Sequence, residues 1–260
     1  LEEYAHKYNT VEIDQWFWSL FGEESIRLPR PADVQEYRQS VSDDFRFTVK
    51  VPNSITLTHQ YKKAKSDPLV VNRLFLSRTL LNEFLGLLEP MRNLLGPLML
   101  QFEYLNKKKM ASQAQFQEAM ADFAADLPEP YEFAVEIRNG NYVNEAFFEF
   151  LLESGLRPVL LQGYWMPPVA KVYEQYRSLI EQHDTVVVRL MGPDRKRIEA
   201  ATGKQWNQIA EPKDDELAEI VGMVKSLLKQ GVDVYLNINN HFEGSAPLTI
   251  ERIQLLLDND

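Results

Sequence analysis

Three observations predict an α/β fold of the TIM type, a (β/α)8 barrel with its first strand missing from this sequence. Seven short strand-like runs alternate with helix-like runs, which calls for a parallel sheet with crossover connections. No GxGxxG follows any strand run, which argues against the dinucleotide-binding open sheet that alternation also permits. The 260 residues contain no linker, repeat or low-complexity tract, so 1–260 reads as one domain, a length that a single barrel reaches.

The chain opens on a helix-like run, LEEYAHKY, and NTVEID then alternates Val11 and Ile13 with Glu12 and Asp14, the period of a strand. An aromatic loop, QWFWSLFG, follows. Pro29 to Val41 has proline at a helix start and apolar residues at helical spacing. Phe45 to Lys50 (FRFTVK) is the next strand, stopped by Pro52, which cannot donate to a ladder. Asn53 to Asp67 is polar, carries His59 and reads as a long loop. Val71 to Met91 is the longest amphipathic helix run, and Gly96-Pro97 ends its connection to the strand LMLQFEYL. Gln113 to Leu127 reads as helix, Phe133 to Ile137 as the central strand, and the region from about Asn144 to Glu153 as a helix closed by Gly155. Pro158 to Leu161 is a short strand, Val169 to Glu181 a helix, and Thr185 to Arg189 (TVVVR) a β-branched strand leading into LMGPDR. Lys196 to Pro212 is mixed. Asp214 to Gln230 starts acidic and ends in lysine, as the helix macrodipole favours. Asp233 to Ile238 (DVYLNI) is the last strand and Pro247 to Leu257 the last helix.

Composition narrows the function. With 28 basic and 38 acidic residues the formal charge is −10 and the pI about 5.0. A duplex nucleic-acid binder usually presents a strongly basic face, so nucleic acid is the less favoured partner. The absence of cysteine excludes a disulfide, a thiolate zinc site and a cysteine nucleophile. No apolar run approaches the roughly 18 residues of a membrane span, and no signal peptide opens the chain, so the expected location is cytoplasmic. Exposed aromatics permit a dimer without demanding one.

Taken in order, NTVEID, FRFTVK followed by ITLTH, LGPLMLQFE, FAVEIRN, VVVRLMG and NINNHFEGSAP resemble the domain of unknown function 72 family, the YecE-like proteins, over essentially the whole chain. No single motif is very specific, but the ordered set is. The resemblance implies a TIM-barrel-like fold and brings no activity with it. The family usually opens with a strand of the type IGTSGW ahead of the first helix, and nothing in this sequence matches it.

In a TIM barrel the active site sits at the carboxyl ends of the strands. Glu12, Asp14, Lys50, Gln101, Glu103, Glu136, Arg138, Arg189, Asn237 and Asn239 all occupy late strand positions, and a closed barrel turns them to one mouth. Glu136 and Arg138 stand out because the strand YEFAVEIR breaks at Asn139-Gly140-Asn141, and burying an unpaired charge is costly. Glu12 and Lys50 have a structural alternative as a buried ion pair that fixes register, and Gln101 as an internal hydrogen-bonder. The turns RLMGP, Arg189 to Pro193, and NNHFEGSAP, Asn239 to Pro247, suit an anion pocket with Arg189 as its main charge and Ser245 at a helix start. The plain alternative is a helix cap by Ser245.

Among the histidines, His59 and His241 fall on loops at the expected mouth, where either serves as acid or base near neutral pH. His6 and His183 are expected at the surface. No HExxH or close ligand pair is present, so no cofactor is expected, although Glu12, Glu136 and His241 leave a divalent metal as the weaker option. Trp16, Phe17, Trp18, Tyr164 and Trp165 lie in loops after strands, placed to stack on a sugar ring or a base, or to roof the barrel, which suits Phe17 better. No nucleophile elbow or P-loop occurs.

The first reading is an enzyme acting on a small, polar, anionic molecule, phosphorylated ones included. Glu136 is its acid or base, Lys50 and Arg189 stabilise negative charge, and His59 or His241 relays protons. Isomerase, lyase and hydrolase chemistry stay open. The alternative is a nucleic-acid-binding or phosphodiester-processing protein using the same mouth, with Arg138, Arg189 and Arg195 on phosphates.

Overall fold

The computed structural model describes residues 1–22, 25–62, 64, 66–192 and 194–258. The fold is α/β, with strands and helices alternating along the chain. The chain divides into two compact units, Leu1–Ile137 with Ser154–Leu156, and Arg138–Glu153 with Arg157–Asp260.

The first unit holds α1 (Glu2–Ala5), β1 (Thr10–Ile13), α2 (Pro31–Gln39), β2 (Arg46–Lys50), α3 (Asn53–Thr56), α4 (Arg78–Leu88), β3 (Leu95–Gln101), α5 (Gln113–Ala124) and β4 (Phe133–Glu136). Its four strands pair parallel in chain order. Strands buried on both faces need no alternation, and Phe47, Val49, Leu98, Leu100 and Val135 are all fully buried. Helix α4 lays Leu81, Phe84, Leu85 and Leu88, one face at helical spacing, into this core.

The second unit holds α6 (Glu145–Glu153), β5 (Arg157–Gly163), α7 (Val169–Ile180), β6 (Thr185–Gly192), α8 (Arg195–Thr202), α9 (Asp214–Lys229), β7 (Asp233–Ile238) and α10 (Ala246–Asp258). Strands β5, β6 and β7 again pair parallel in chain order. Val186, Val187 and Val188 of β6 are fully buried. Seven parallel strands in chain order are the TIM-type pattern less one strand. No helix among the described residues is long and apolar enough to cross a membrane.

Four expectations need correction. The polar stretch from Asn53 is not a solvated loop at its start: residues 53–56 form α3, and all four are buried. The segment is held by distant partners, since Asn53 Oδ1 accepts from the Ser19 and Leu20 backbone N–H groups at 2.9 and 3.0 Å. The run from Val71 to Met91 is not one helix. Its α-helix begins only after Ser77, whose hydroxyl accepts from Leu80 N–H at 3.3 Å, and Pro90 turns its far end into a 3₁₀ segment, Glu89–Leu94. Gly96-Pro97 lies inside β3, where a shift in register between Phe47 and Val49 absorbs the proline's missing N–H. His183, expected at the surface, is 7% exposed.

Candidate functional site

In the first unit, Lys50 ends β2 with its ammonium 3.0 Å from Glu12 and 3.9 Å from Asp14. It also lies 5.7 Å from the centre of the Phe17 ring. The Glu12 and Lys50 side chains are only 15% and 10% exposed, so the pair expected as a register lock is present and largely withdrawn from water. Glu136 ends β4 at 0% exposure, in register with Gln101, the last residue of β3. Lys50, Glu136 and Gln101 are thus the terminal residues of three neighbouring parallel strands.

His59 follows on the next loop. Its Nδ1 is 3.0 Å from the Thr58 hydroxyl, which donates to Glu103 at 3.1 Å, and Glu103 is ion-paired with Lys109. Desolvation and the Lys109 charge push the imidazole below its ordinary pKa, against an opposing pull from Glu103. A neutral ring near pH 7 is the form that accepts a proton.

In the second unit, Arg189 sits on β6 at 2% exposure, in register with Leu161 of β5 and Asn237 of β7. The loops that follow these strands pack backbone against backbone. A Cβ on Gly163 would stand 2.6 Å from the Gly192 carbonyl oxygen, and one on Gly192, at φ +76°, would run into the His241 carbonyl. Only glycine allows this approach, and it fixes where the β7 loop presents His241.

Glu199 Oε1 lies 3.5 Å from His241 Nε2, in ion-pair range but too long for a good hydrogen bond. Glu199 is held by Arg195 at 2.7 Å, and the Trp206 ring meets the imidazole edge-on at 5.1 Å. Desolvation and Arg195 lower the His241 pKa, with Glu199 opposing. Arg138 stacks 4.7 Å over the ring of Tyr164, a non-glycine residue at φ +56° in the turn after β5.

The remaining expected site residues divide by role. Asn239 Oδ1 accepts from His241 N–H at 2.9 Å, so this side chain builds the turn. Ser245 is buried, but the start of α10 is capped by Asn240, whose Oδ1 accepts from Ala246 N–H at 2.8 Å. Trp165 is 94% exposed. Pro193 lies outside the described residues. Among those residues no group of three or more carboxylate or imidazole side chains is placed to hold a metal.

Sequence reasoning missed Glu199, Trp206 and Glu243. The signal for α8 was legible, with Asp194 capping Lys196 and Arg197 N–H groups and Gly203 closing the helix in the left-handed conformation. Glu243, 0% exposed, accepts from Lys213 N–H and the Thr249 hydroxyl, each at 2.8 Å, and pairs with Arg252. Its role is to lock the loop after β7 onto α9 and α10.

The UPF0759 protein YecE of Escherichia coli strain K12 is 28% identical over 156 residues, which is 60% of this chain and 47% of that protein. The same protein from strain O157:H7 matches identically. The chain therefore spans about half the length of the curated relatives it matches. Two crystal structures of a DUF72 family protein from Enterococcus faecalis V583 align at TM-scores of 0.66 and 0.64, with 19% and 20% identity. They cover 100% of this chain and 88% and 93% of those chains. A DUF72 family protein from Thermotoga maritima MSB8 aligns at a TM-score of 0.62 with 19% identity, over 97% of this chain and 85% of that one. At these identities the likeness shows the fold alone. The model of the family described as protein of unknown function DUF72 matches residues 1–260, and the chain belongs to that family.

Proposed function

We propose that this protein is an enzyme that acts on a small, polar, anionic molecule by acid–base chemistry at the carboxyl ends of its strands. The observation that carries the reading is the set of ionisable side chains buried late on parallel strands: Lys50 at 8%, Glu136 at 0% and Arg189 at 2% exposure. Taking a charge out of water costs several kcal/mol before pairing returns any of it, on the order of 3 to 5 kcal/mol if the pairing is broken. A strand core does not need these residues, and apolar ones of similar volume serve packing as well. Their position is the one where α/β folds of this type bind substrates.

In this reading Glu136 exchanges the proton and Lys50 stabilises developing negative charge in the first unit. The second unit, taken by itself, offers Arg189 and Arg138 to an anion and His241, with Glu199 3.5 Å away, as its proton relay. The two imidazoles are held neutral, the form in which they accept a proton near pH 7. Fold alone does not choose between isomerase, lyase and hydrolase chemistry.

The test is the melting temperature against phosphorylated metabolites, carboxylates and short oligonucleotides. A ligand at 100 times its Kd adds about 2.7 kcal/mol. At roughly 2 to 4 °C per kcal/mol this raises Tm by about 5 to 10 °C. One small anion giving such a shift, abolished in Arg138→Ala, is the expected result. A shift with oligonucleotides alone that salt abolishes would replace the reading with nucleic-acid binding.

A further inference from the structure

Among the described residues, Lys50 is the only buried lysine. Lysine is seldom withdrawn from water unless its charge is paired there. A register lock needs one carboxylate, yet this ammonium has two, Glu12 at 3.0 Å and Asp14 at 3.9 Å. The Glu12 side chain is 15% exposed and that of Asp14 is 70% exposed, so the cluster runs from a dry end to an open one. Lys50, with 10% of its side chain in contact with water, is neither sealed in the core nor free in solvent. The buried Phe17 ring, centred 5.7 Å from the ammonium, adds an apolar wall.

We propose that Lys50 is a nucleophile that forms a Schiff base with a small ketone, an inference that rests on the acid–base reading and narrows its substrate to carbonyl compounds. An amine attacks only after losing a proton, and a base within hydrogen-bond reach activates it. Glu12 Oε1, at 3.0 Å, is that base. Lys50 gives one proton to Glu12, and its nitrogen forms a bond to the carbonyl carbon. The carbonyl oxygen collects that proton and a second one from the nitrogen, and leaves as water. Ammonium plus carbonyl thus becomes iminium plus water, with nothing oxidised or reduced. The positive charge is the same before and after, so the carboxylates that hold the ammonium also hold the iminium. Acylation of the same nitrogen would remove that charge and strand Glu12 in a site largely withdrawn from water.

The iminium draws electrons from the carbon beside it, which is how Lys50 serves developing negative charge. Glu136 rises from the same face of the sheet, since Lys50 pairs with Met99 and Glu136 with Gln101, two residues further along β3. The two carboxylates also select the substrate. A 2-oxo acid carries its own carboxylate on the carbonyl carbon and would bring a third negative charge against Glu12 and Asp14. The ligand is therefore a ketone whose anionic group lies further along the chain.

To test this, the full chain is incubated with dihydroxyacetone phosphate, levulinate or pyruvate, reduced with sodium borohydride, and mapped by peptide mass spectrometry. The expected result is a reduced adduct on the peptide holding Lys50 with at least one of the first two probes and none without borohydride. Lys50→Arg keeps a cation for Glu12 and Asp14 but forms no such imine, so the adduct should be lost. If circular dichroism shows that variant misfolded, the map of the native sequence decides alone, because it names the modified lysine. Adducts with no probe, adducts confined to exposed lysines such as Lys107 and Lys108, or an adduct with pyruvate alone would overturn the proposal. A probe that raises Tm, with the rise lost in Arg138→Ala, yet leaves no adduct on Lys50 would keep the acid–base reading and remove this one.

Discussion

His183 is a histidine whose neighbours decide its charge. It is buried with its Nε2 unpartnered, and desolvation, with the adjacent Arg157 charge, lowers its pKa to about 4. Unfolded, the ring titrates near its ordinary value of 6.5. Between these two values the unfolded chain binds the extra proton, so stability rises with pH across this window and is lost as pH falls from 6.5 to 4. At about 1.4 kcal/mol per pH unit, moving from pH 6.5 to 5.0 costs about 2 kcal/mol. Urea midpoints at pH 7.5 and 5.0 should show that loss, and His183→Gln should flatten it; an unchanged slope would assign the acid sensitivity to other groups. Lys50 gives a second residue-scale prediction. Glu12→Gln removes the nearer carboxylate of a nearly buried ammonium, leaving only Asp14 at 3.9 Å, and should destabilise the fold by about 2 to 3 kcal/mol. Replacing both partners by apolar residues of similar volume should cost clearly less, a difference a double-mutant cycle in urea would read.

Elements differ in what a glycine does for them. Gly192→Ala places a side chain at φ +76° and against the His241 carbonyl, so it should lower Tm by many degrees and disturb the imidazole with it. Gly86 lies exposed in α4 with nothing within 4 Å of an added Cβ, and Gly86→Ala should stabilise by about 0.5 to 1 kcal/mol. Equal effects in the two variants would refute the packing argument. The same contrast explains what the sequence let one read. β7 (Asp233–Ile238) agrees with its reading to the residue, and β2 and β4 nearly so, because apolar runs between breakers leave few alternatives. Residues 53–56 and 71–77 were misread because their state depends on hydrogen bonds to distant positions: Asn53 is held by Ser19, and Asn72 donates to the Ser54 and Leu57 carbonyls at 2.8 and 2.7 Å. Late strand positions drew attention to Lys50, Glu136 and Arg189 as residues of one mouth, and the structure buries all three. Nothing in the local pattern announced that Glu199, on a segment read only as mixed, meets His241 across 42 positions of chain.

For the whole molecule, the charge of −10 and a pI of about 5.0 set how it behaves in solution. Repulsion between acidic surfaces keeps copies apart near neutral pH and vanishes as pH approaches 5. The protonation of His183 falls in the same interval, so loss of net charge and loss of stability coincide. Light scattering during slow acidification should therefore rise near pH 5 in the native chain, and the rise should be smaller in His183→Gln, which retains the charge loss but not the destabilisation. A rise of equal size in both would leave charge alone responsible.

The contact of Gly163 with Gly192, and of Gly192 with the loop at His241, also bears on how this chain tolerates changes of length. Surface loops ordinarily accept an inserted residue at small entropic cost. Here three connections share one seam of backbone, so an extra residue in any of them displaces the other two. A library of single-codon insertions scanned across the gene should therefore show a sharp gap in recovered variants at these three places, while the polar turn at Asn106–Lys108, exposed and away from any such seam, stays permissive.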